Sequence, residues 1–432
     1  MKSISSVCIS DIYQMKKILA LIFCVSSISS FSQKDTLNIL FLGNSYTQFN
    51  NLPSMVETLI EETGVEVITD ANTPGGYTLK QHSTNATSIQ KIKQGVWDFV
   101  VLQEQSQLPS FPLGQVQQET FPYAKTLDTL ITKHNPCAET IFYNTWGRKN
   151  GDAGNCGFWP PVCTYEGMDS MLALRYKYMA DTNKALVSPV GPVWRNIREN
   201  YPTINLYTSD ESHPSIYGSY AAAVSLFAVI TRKDPTFITN NFGFTQIDAD
   251  NIKQAAKEVA YNQLNNWNVG EYDAKAFFET DSFSPFEVAF ENKSTWANEF
   301  IWDFGDGESS TEKSPTHTYT DTGSYNIYLI SSYCGVFPDT FSVDLKIKNN
   351  NNSVGLEEVE NRFMVYPNPA NSVLNISGIV NGELELRDIS GKLVLKSKIK
   401  PIVGIENLEK GLYFLTFTTN SSIETQSVLI IN

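Results

Sequence analysis

A three-layer α/β/α domain with a parallel sheet, followed by two small all-β sandwich modules, is the fold class this sequence predicts. Two observations carry it. Between Asp35 and about Gly270, short apolar runs alternate with longer helix-like segments, and strands separated by helices pair in parallel and are covered on both faces. Past Lys275 the texture becomes short aromatic and β-branched strands with Gly, Asp, Asn and Ser turns, and no helical period is visible. Size agrees, since 432 residues exceed one ordinary core of about 150 residues.

The first residues read as an address. Lys16 and Lys17 precede the apolar run Ile18 to Val25, and small polar residues, Ser26 to Ser32, follow it. That order is a secretory signal over residues 1–32, with the true start expected at Met15, and the run is too short to span a bilayer. Phe23 before Cys24 argues against a lipid anchor, because such signals need a small residue there. Composition narrows the partners. Hydrophobic residues make up 41% of the chain and charged residues 18%, which suits globular domains. Lys plus Arg is 32 and Asp plus Glu is 46, a net charge of 32 − 46 = −14, so the surface would repel a nucleic-acid backbone.

The α/β region, residues 33–272, is read from Leu37 to Leu42, the stretch around Met55 to Thr63, Phe99 to Leu102, Phe121 to Lys133, Thr140 to Tyr143 and Met168 to Thr182. Its loops hold Cys156 and Cys163, which flank GFWPPV and are close enough to staple it in an exported protein. Cys137 and Cys334 leave other pairings open, and a zinc site finds no further ligand near this loop, so no metal is expected.

The stretch LFLGNSYTQFNNLP places Ser45 where the buried run Ile39 to Leu42 ends in Gly43 and Asn44. Gly-Asn-Ser is ordinary turn chemistry, yet an α/β sheet holds its ligands at the carboxyl ends of its strands. A serine nucleophile needs a base. The histidines are His82, His134, His213 and His317. His134 sits at a predicted helix end and His317 in the β-rich tail, whereas His213 has Asp210 three residues before it and a predicted helix after Pro214. A carboxylate at that offset can orient the imidazole.

These residues resemble the SGNH (GDSL-like) hydrolases. LGNSYT, Leu42 to Thr47, is similar to their first block with Asn44 in place of aspartate, and Asp210, His213 and Pro214 match their last. The resemblance implies catalytic Ser45, Asp210 and His213, and an oxyanion hole from Ser45, Gly76 and Gln105, without a cofactor. Gly75-Gly76-Tyr77-Thr78 resembles the second block. The third departs: Gln103-Glu104-Gln105-Ser106 puts Gln105 at the asparagine position, and Gln103 is a possible substitute. Trp146, Trp159 and Trp194 are read as packing before sugar stacking, His82 as structural, and Glu104 as facing solvent or a backbone amide.

In the tail, WDFGDG at Trp302 to Gly307 resembles a PKD immunoglobulin-like domain, assigned to residues 275–348, with Trp302 and Phe304 pointing inward. Its acidic turn is read as stabilising the turn before binding calcium. Residues 349–360 form an Asn-rich linker, and VYPNPANSVLNISG with LEKGLYFLTF, in residues 361–432, resembles the sorting domain of type IX secretion substrates. The expected partners are therefore a small ester or acylated carbohydrate substrate and the outer-membrane secretion machinery. The expected function is a secreted or surface serine esterase that deacylates carbohydrate. The alternative is a surface carbohydrate-binding or adhesive protein whose hydrolase domain is catalytically weak; a lipase or thioesterase is weaker still.

Overall fold

The structure is a computed structural model and describes residues 36–282, 286–348 and, with short gaps, 364–430. The leader predicted for residues 1–32 and the linker predicted for 349–360 lie outside the described residues. Among the described residues the chain divides into two compact units, one ending at Tyr272 and one beginning at Asp273.

The first unit is built on β1 (Thr36–Leu42), β2 (Glu66–Asn72), β3 (Phe99–Leu102), β4 (Glu139–Tyr143) and β5 (Leu186–Ser188), paired in parallel in the order β2-β1-β3-β4-β5. The centre of β1 reads as a continuous apolar run because it is covered on both faces. Alternate residues serve opposite cores. Ile39 and Phe41 join one cluster with Val101, Ile141 and Tyr143, while Leu40 and Leu42 join the other with Val100, Leu102 and Phe142.

Helices follow the strands. They are α1 (Ser45–Gln48), α2 (Leu52–Glu61), α3 (Leu79–His82), α4 (Ala86–Lys93), α5 (Leu113–Glu119), α6 (Phe121–His134), α7 (Tyr165–Asn183), α8 (Val190–Asn200), α9 (Ile216–Thr231) and α10 (Gln246–Val259). Residues of α2, α8, α9 and α10 cover the Phe41 face, and those of α6 and α7 cover the Leu40 face. The three layers follow from that division. Helix α9 is buried almost all round, from Gly218 to Ile230, and its alanines let it sit deep in its layer. Leu206 carbonyl and the Trp194 ring lie where a Cβ at Gly218 would go, at 2.4 and 2.5 Å, so only glycine fits there.

Strand order places the site. The sheet reverses direction of build between β1 and β3, and a crevice opens beyond the carboxyl ends of the strands at such a switch point. Ser45 follows β1 and Gln103 to Gln105 follow β3, so both flank it.

The second unit holds two antiparallel modules. In the first, β6 (Phe278–Ser282), β7 (Glu287–Asn292), β8 (Glu299–Asp303), β9 (Ser309–Ser310), β10 (Thr316–Thr318), β11 (Gly323–Tyr333) and β12 (Val336–Ile347) make sheets ordered β10-β7-β6 and β12-β11-β8-β9. Their core is Phe278, Phe290, Trp302, Phe304, Ile327 and Leu329. The acidic turn stabilises itself: Gly305 N–H donates to Asp303 (2.9 Å), Glu308 N–H donates to Asp306 (3.0 Å), and His317 Nε2 lies 2.7 Å from Asp306 Oδ2. The last module, β13 (Met364–Tyr366), β14 (Val373–Ser377), β15 (Glu383–Asp388), β16 (Leu393–Lys398), β17 (Ile402–Gly404), β18 (Gly411–Thr418) and β19 (Ile423–Ile430), has the orders β13-β14-β17 and β16-β15-β18-β19.

Candidate active site

Strand β1 ends in a tight turn. At Gly43 a Cβ would meet Thr47 Oγ1 at 2.5 Å and Gln103 Oε1 at 2.7 Å, so glycine is required by close approach. Asn44 then caps α1 in an extended conformation, its Oδ1 accepting from Tyr46 N–H at 3.1 Å. Ser45, as the first helical residue, keeps its N–H outside the helix ladder.

Three of the expected residues come together here. His213 Nε2 lies 2.8 Å from Ser45 Oγ, and His213 Nδ1 lies 2.5 Å from Asp210 Oδ2. The other carboxylate oxygen accepts from the N–H groups of Ser212 and His213, both at 2.9 Å, and from the Thr208 hydroxyl at 2.8 Å. Partial burial works to raise the Asp210 pKa, but the imidazole, the two N–H groups and the hydroxyl outweigh it and hold the carboxyl well below the usual carboxylate range. An imidazole thus touches the serine hydroxyl, and an ionised carboxylate touches the imidazole.

The loop bearing Asp210 and His213 is held from several sides. Thr208 N–H donates to the His213 carbonyl at 2.9 Å, and Glu211 between them takes φ +60, a left-handed conformation uncommon for this residue type. That twist lets the Glu211 carbonyl accept from Lys149 N–H (3.0 Å) and its carboxylate from Asn150 (2.8 Å). Beneath it runs a stack of rings: Tyr46 on Trp146 (4.7 Å), Trp146 on Trp194 (3.7 Å), and Tyr207 edge-on to Trp194 (5.0 Å). Tyr46 Oη lies 2.7 Å from Ser212 Oγ, and Trp146 Nε1 donates to Ser212 carbonyl at 3.1 Å. Trp146 and Trp194 are fully buried, and Trp159 donates to Ser110 carbonyl at 3.0 Å. They are packing residues.

Phe49 is a site residue that sequence reasoning missed. Its ring stacks on the His213 imidazole at 4.5 Å, and it is held there by Asn50 and Asn51, both left-handed. Asn50 Nδ2 donates to the carbonyls of Pro214 and Ser215 and to Ser219 Oγ. The available signal was the Asn-Asn pair, since asparagine tolerates that region better than most residues.

The oxyanion candidates divide. Gly76 sits in an exposed turn at φ +71, a conformation glycine accepts without strain, and among the described residues its N–H donates to no protein group. Gln103 is fully buried and committed at both ends: Oε1 accepts from Asn44 N–H and Thr47 Oγ1, each at 2.9 Å, and its amide N–H donates to Glu104 carbonyl. Gln105 Oε1 accepts from Gln107 N–H (2.8 Å) and Leu108 N–H (3.1 Å), while Nε2 donates to Gln107 Oε1 (3.1 Å) and makes a long 3.4 Å contact to Ser106. Gln107 in turn donates to buried Asp152 at 2.6 Å, which ties the third block to the loop closed by the Cys156–Cys163 disulfide.

His82 is structural. It is buried, with Nε2 2.8 Å from Gly43 carbonyl and Nδ1 2.8 Å from Ser88 Oγ, and burial lowers its pKa despite the bond to Gly43. Asn44 also earns its place beside this turn, because its Nδ2 donates to Tyr77 carbonyl at 2.9 Å, which aspartate cannot do. Asn44→Asp is therefore expected to lower unfolding stability by about 1–3 kcal/mol, through an unpaired carbonyl facing a carboxylate. Chemical denaturation of the two proteins checks it, and equal midpoints would refute the reading.

Among the described residues no cluster of His, Cys, Asp and Glu is placed to hold a metal ion, and no helix is long and apolar enough to cross a membrane.

Residues 272–336 match the PKD domain and residues 364–432 the secretion system C-terminal sorting domain. The chain carries an export address. A sorting domain of this kind sends a protein through type IX secretion to the cell surface or beyond. No curated protein matches the chain. Among solved structures it is similar to a DUF4886 family protein from Bacteroides uniformis (18% identity over 54% of this chain and 95% of the other, TM-score 0.46). It is also similar to a protein assigned as an SGNH hydrolase from Slackia heliotrinireducens (27%, 44% and 97%, TM-score 0.37). The first all-β module resembles the PKD1 domain of the Vibrio cholerae metalloprotease PrtV (33%, 17% and 95%, TM-score 0.16).

Proposed function

We propose that this protein is an exported serine esterase of the SGNH type that removes acetyl or similar small acyl groups from carbohydrate. The observation that carries the reading is the contact chain from Ser45 Oγ through His213 to Asp210, with each bond within hydrogen-bond reach. Ser45 attacks the ester carbonyl as His213 Nε2 takes its proton. The imidazolium, oriented and stabilised by ionised Asp210, returns that proton to the leaving alcohol. Water then attacks the acyl-enzyme by the same route. N–H groups of Ser45, Gly76 and Gln105 stabilise the oxyanion.

The carbohydrate assignment rests on the export address, the β-sandwich module and the groups tied to the site. Gln105, Gln107, Asp152 and Asn155 form a hydrogen-bonded set of amides and a carboxylate, chemistry that suits hydroxyl-rich substrates. The test is acetate release by the purified protein from acetylated xylan, pectin and chitin oligomers, with p-nitrophenyl acetate as control. No release from any of them by folded protein would overturn the esterase reading and favour the surface-binding alternative.

Gln105 rather than Gln103 is assigned as the side-chain donor, because Gln103 is fully buried with its Oε1 held by Asn44 N–H and Thr47 Oγ1, whereas Gln105 is only partly buried at the end of the same strand. Gln105→Ala should lower kcat by about 100-fold or more with KM nearly unchanged. Gln103→Ala should instead lower the melting temperature. Exchanged effects would reverse the assignment.

A further inference from the structure

We propose that Glu104 is a positioning residue that clamps together the two loops from which the oxyanion donors come. The inference rests on the esterase reading for its catalytic consequence, but the clamp itself is a matter of geometry. Glu104 follows β3 and is fully buried. One carboxyl oxygen, Oε1, accepts from Gln105 N–H at 2.6 Å and from Leu79 N–H at 3.1 Å. Gln105 carries the side-chain donor. Leu79 is the first residue of α3, capped by Thr78, three residues after Gly76. A single atom therefore fixes the third-block loop against the second-block loop. The main chain of Glu104 is fixed as well, its N–H donating to Tyr176 Oη at 3.1 Å and its carbonyl accepting from Gln103.

The other carboxyl oxygen, Oε2, is buried and has no hydrogen-bond partner among the described residues. A bare charge in such a place is costly, and only the two N–H donors on Oε1 offset it, with no cation beside it. The titratable groups facing Glu104 are Glu119 at the end of α5 and Tyr176 of α7, and neither is a cation. Burial, assisted by Glu119 and opposed by the two N–H bonds, pushes the Glu104 pKa up to about 8. Near neutrality the clamp is thus an uncharged carboxylic acid. Ionising it would set a buried negative charge against Gln105, the residue read as the side-chain donor, and raise the energy of a transition state that places negative charge there.

The stability sign follows from linkage. The folded pKa of about 8 lies above the unfolded value of 4.5, so the protonated carboxyl contributes stability that is fully present below 4.5 and is lost as pH rises through about 8. Glu104→Gln keeps an acceptor at Oε1 and cannot ionise. Glu104→Leu keeps the bulk and removes the acceptor.

Both variants of the full chain, with Ser45→Ala as control, are compared with the wild type in three measurements. Hydrogen exchange at the amides of Leu79 and Gln105 reports the clamp without any activity. Exchange should speed up by about tenfold or more in Glu104→Leu and return toward wild type in Glu104→Gln. Turnover of p-nitrophenyl acetate should show kcat about tenfold lower in Glu104→Leu with KM within about threefold, and rescue by Glu104→Gln. The wild type should lose kcat as pH rises through about 8, and Glu104→Gln should lack that loss. In melts, wild type should fall relative to Glu104→Gln between pH 4.5 and about 8. Unchanged exchange at both amides in Glu104→Leu would overturn the clamp, and identical alkaline profiles and parallel melts would overturn its titration. Turnover surviving in Ser45→Ala would instead sink the reading of Ser45 as the nucleophile, leaving exchange and melts to decide the clamp.

Discussion

Ser45→Ala should reduce kcat on p-nitrophenyl acetate by about 10⁴-fold or more, with the folded protein otherwise intact. The size of the effect follows from what the hydroxyl does. Ser45 Oγ lies 2.8 Å from His213 Nε2, so removing it removes both the nucleophile and the proton that the imidazole would accept. What is left is the oxyanion hole and substrate binding, which together retain only a residual acceleration over water. The stability cost should be small, about 1 kcal/mol, because the lost bond joins two partly exposed side chains. Steady-state kinetics with a thermal melt of the same sample checks both halves. Turnover within tenfold of wild type would mean that another group is the nucleophile and that the contact between Ser45 and His213 is only a turn contact.

The sequence carried some of this and not the rest, for physical reasons. Period and composition gave the layers, because β1 is apolar on both faces and the tail alternates like an antiparallel sheet. Two strands of the sheet went unread: β2, whose sequence EVITDAN is mostly polar and only partly buried, and β5, only three residues long. The contact of His213 with Ser45 was inferred from a short supply of histidines rather than from spacing, since the two are 168 residues apart. The Phe49 ring over the imidazole was illegible, because it depends on two left-handed asparagines anchored to a helix far along the chain. Gln103 and Glu104 show the same limit. Gln103 is read as a substitute oxyanion donor and Glu104 as facing solvent or a backbone amide; both are buried and Glu104 takes backbone amides, but alternation along β3 does not say which distant N–H waits there.

Asp210→Asn should cost nearly as much as losing the serine, about 10⁴-fold in kcat, with KM changed only a few-fold. The carboxylate does two jobs that an amide can only half perform. Oδ1 organises the loop by accepting from Thr208, Ser212 and His213, and an asparagine carbonyl can keep that role. Oδ2 accepts from the imidazole, and there the substituted group would be an NH₂, which forces His213 to carry its proton on Nε2 instead of Nδ1. An Nε2–H facing Ser45 Oγ cannot take the serine proton. Because Asp210 is held ionised far into acid, its contribution to stability should be present above the unfolded value of 3.8 and vanish as pH falls through the lower folded pKa. The carboxyl side chain is 47% exposed, so solvent screens the effect and the melting difference between Asp210→Asn and wild type should be modest even at neutral pH. The discriminating experiment pairs kinetics with nitrogen NMR of the His213 ring. A proton found on Nδ1 in the variant, or a loss of less than tenfold in kcat, would show that Asp210 anchors the loop without setting the tautomer.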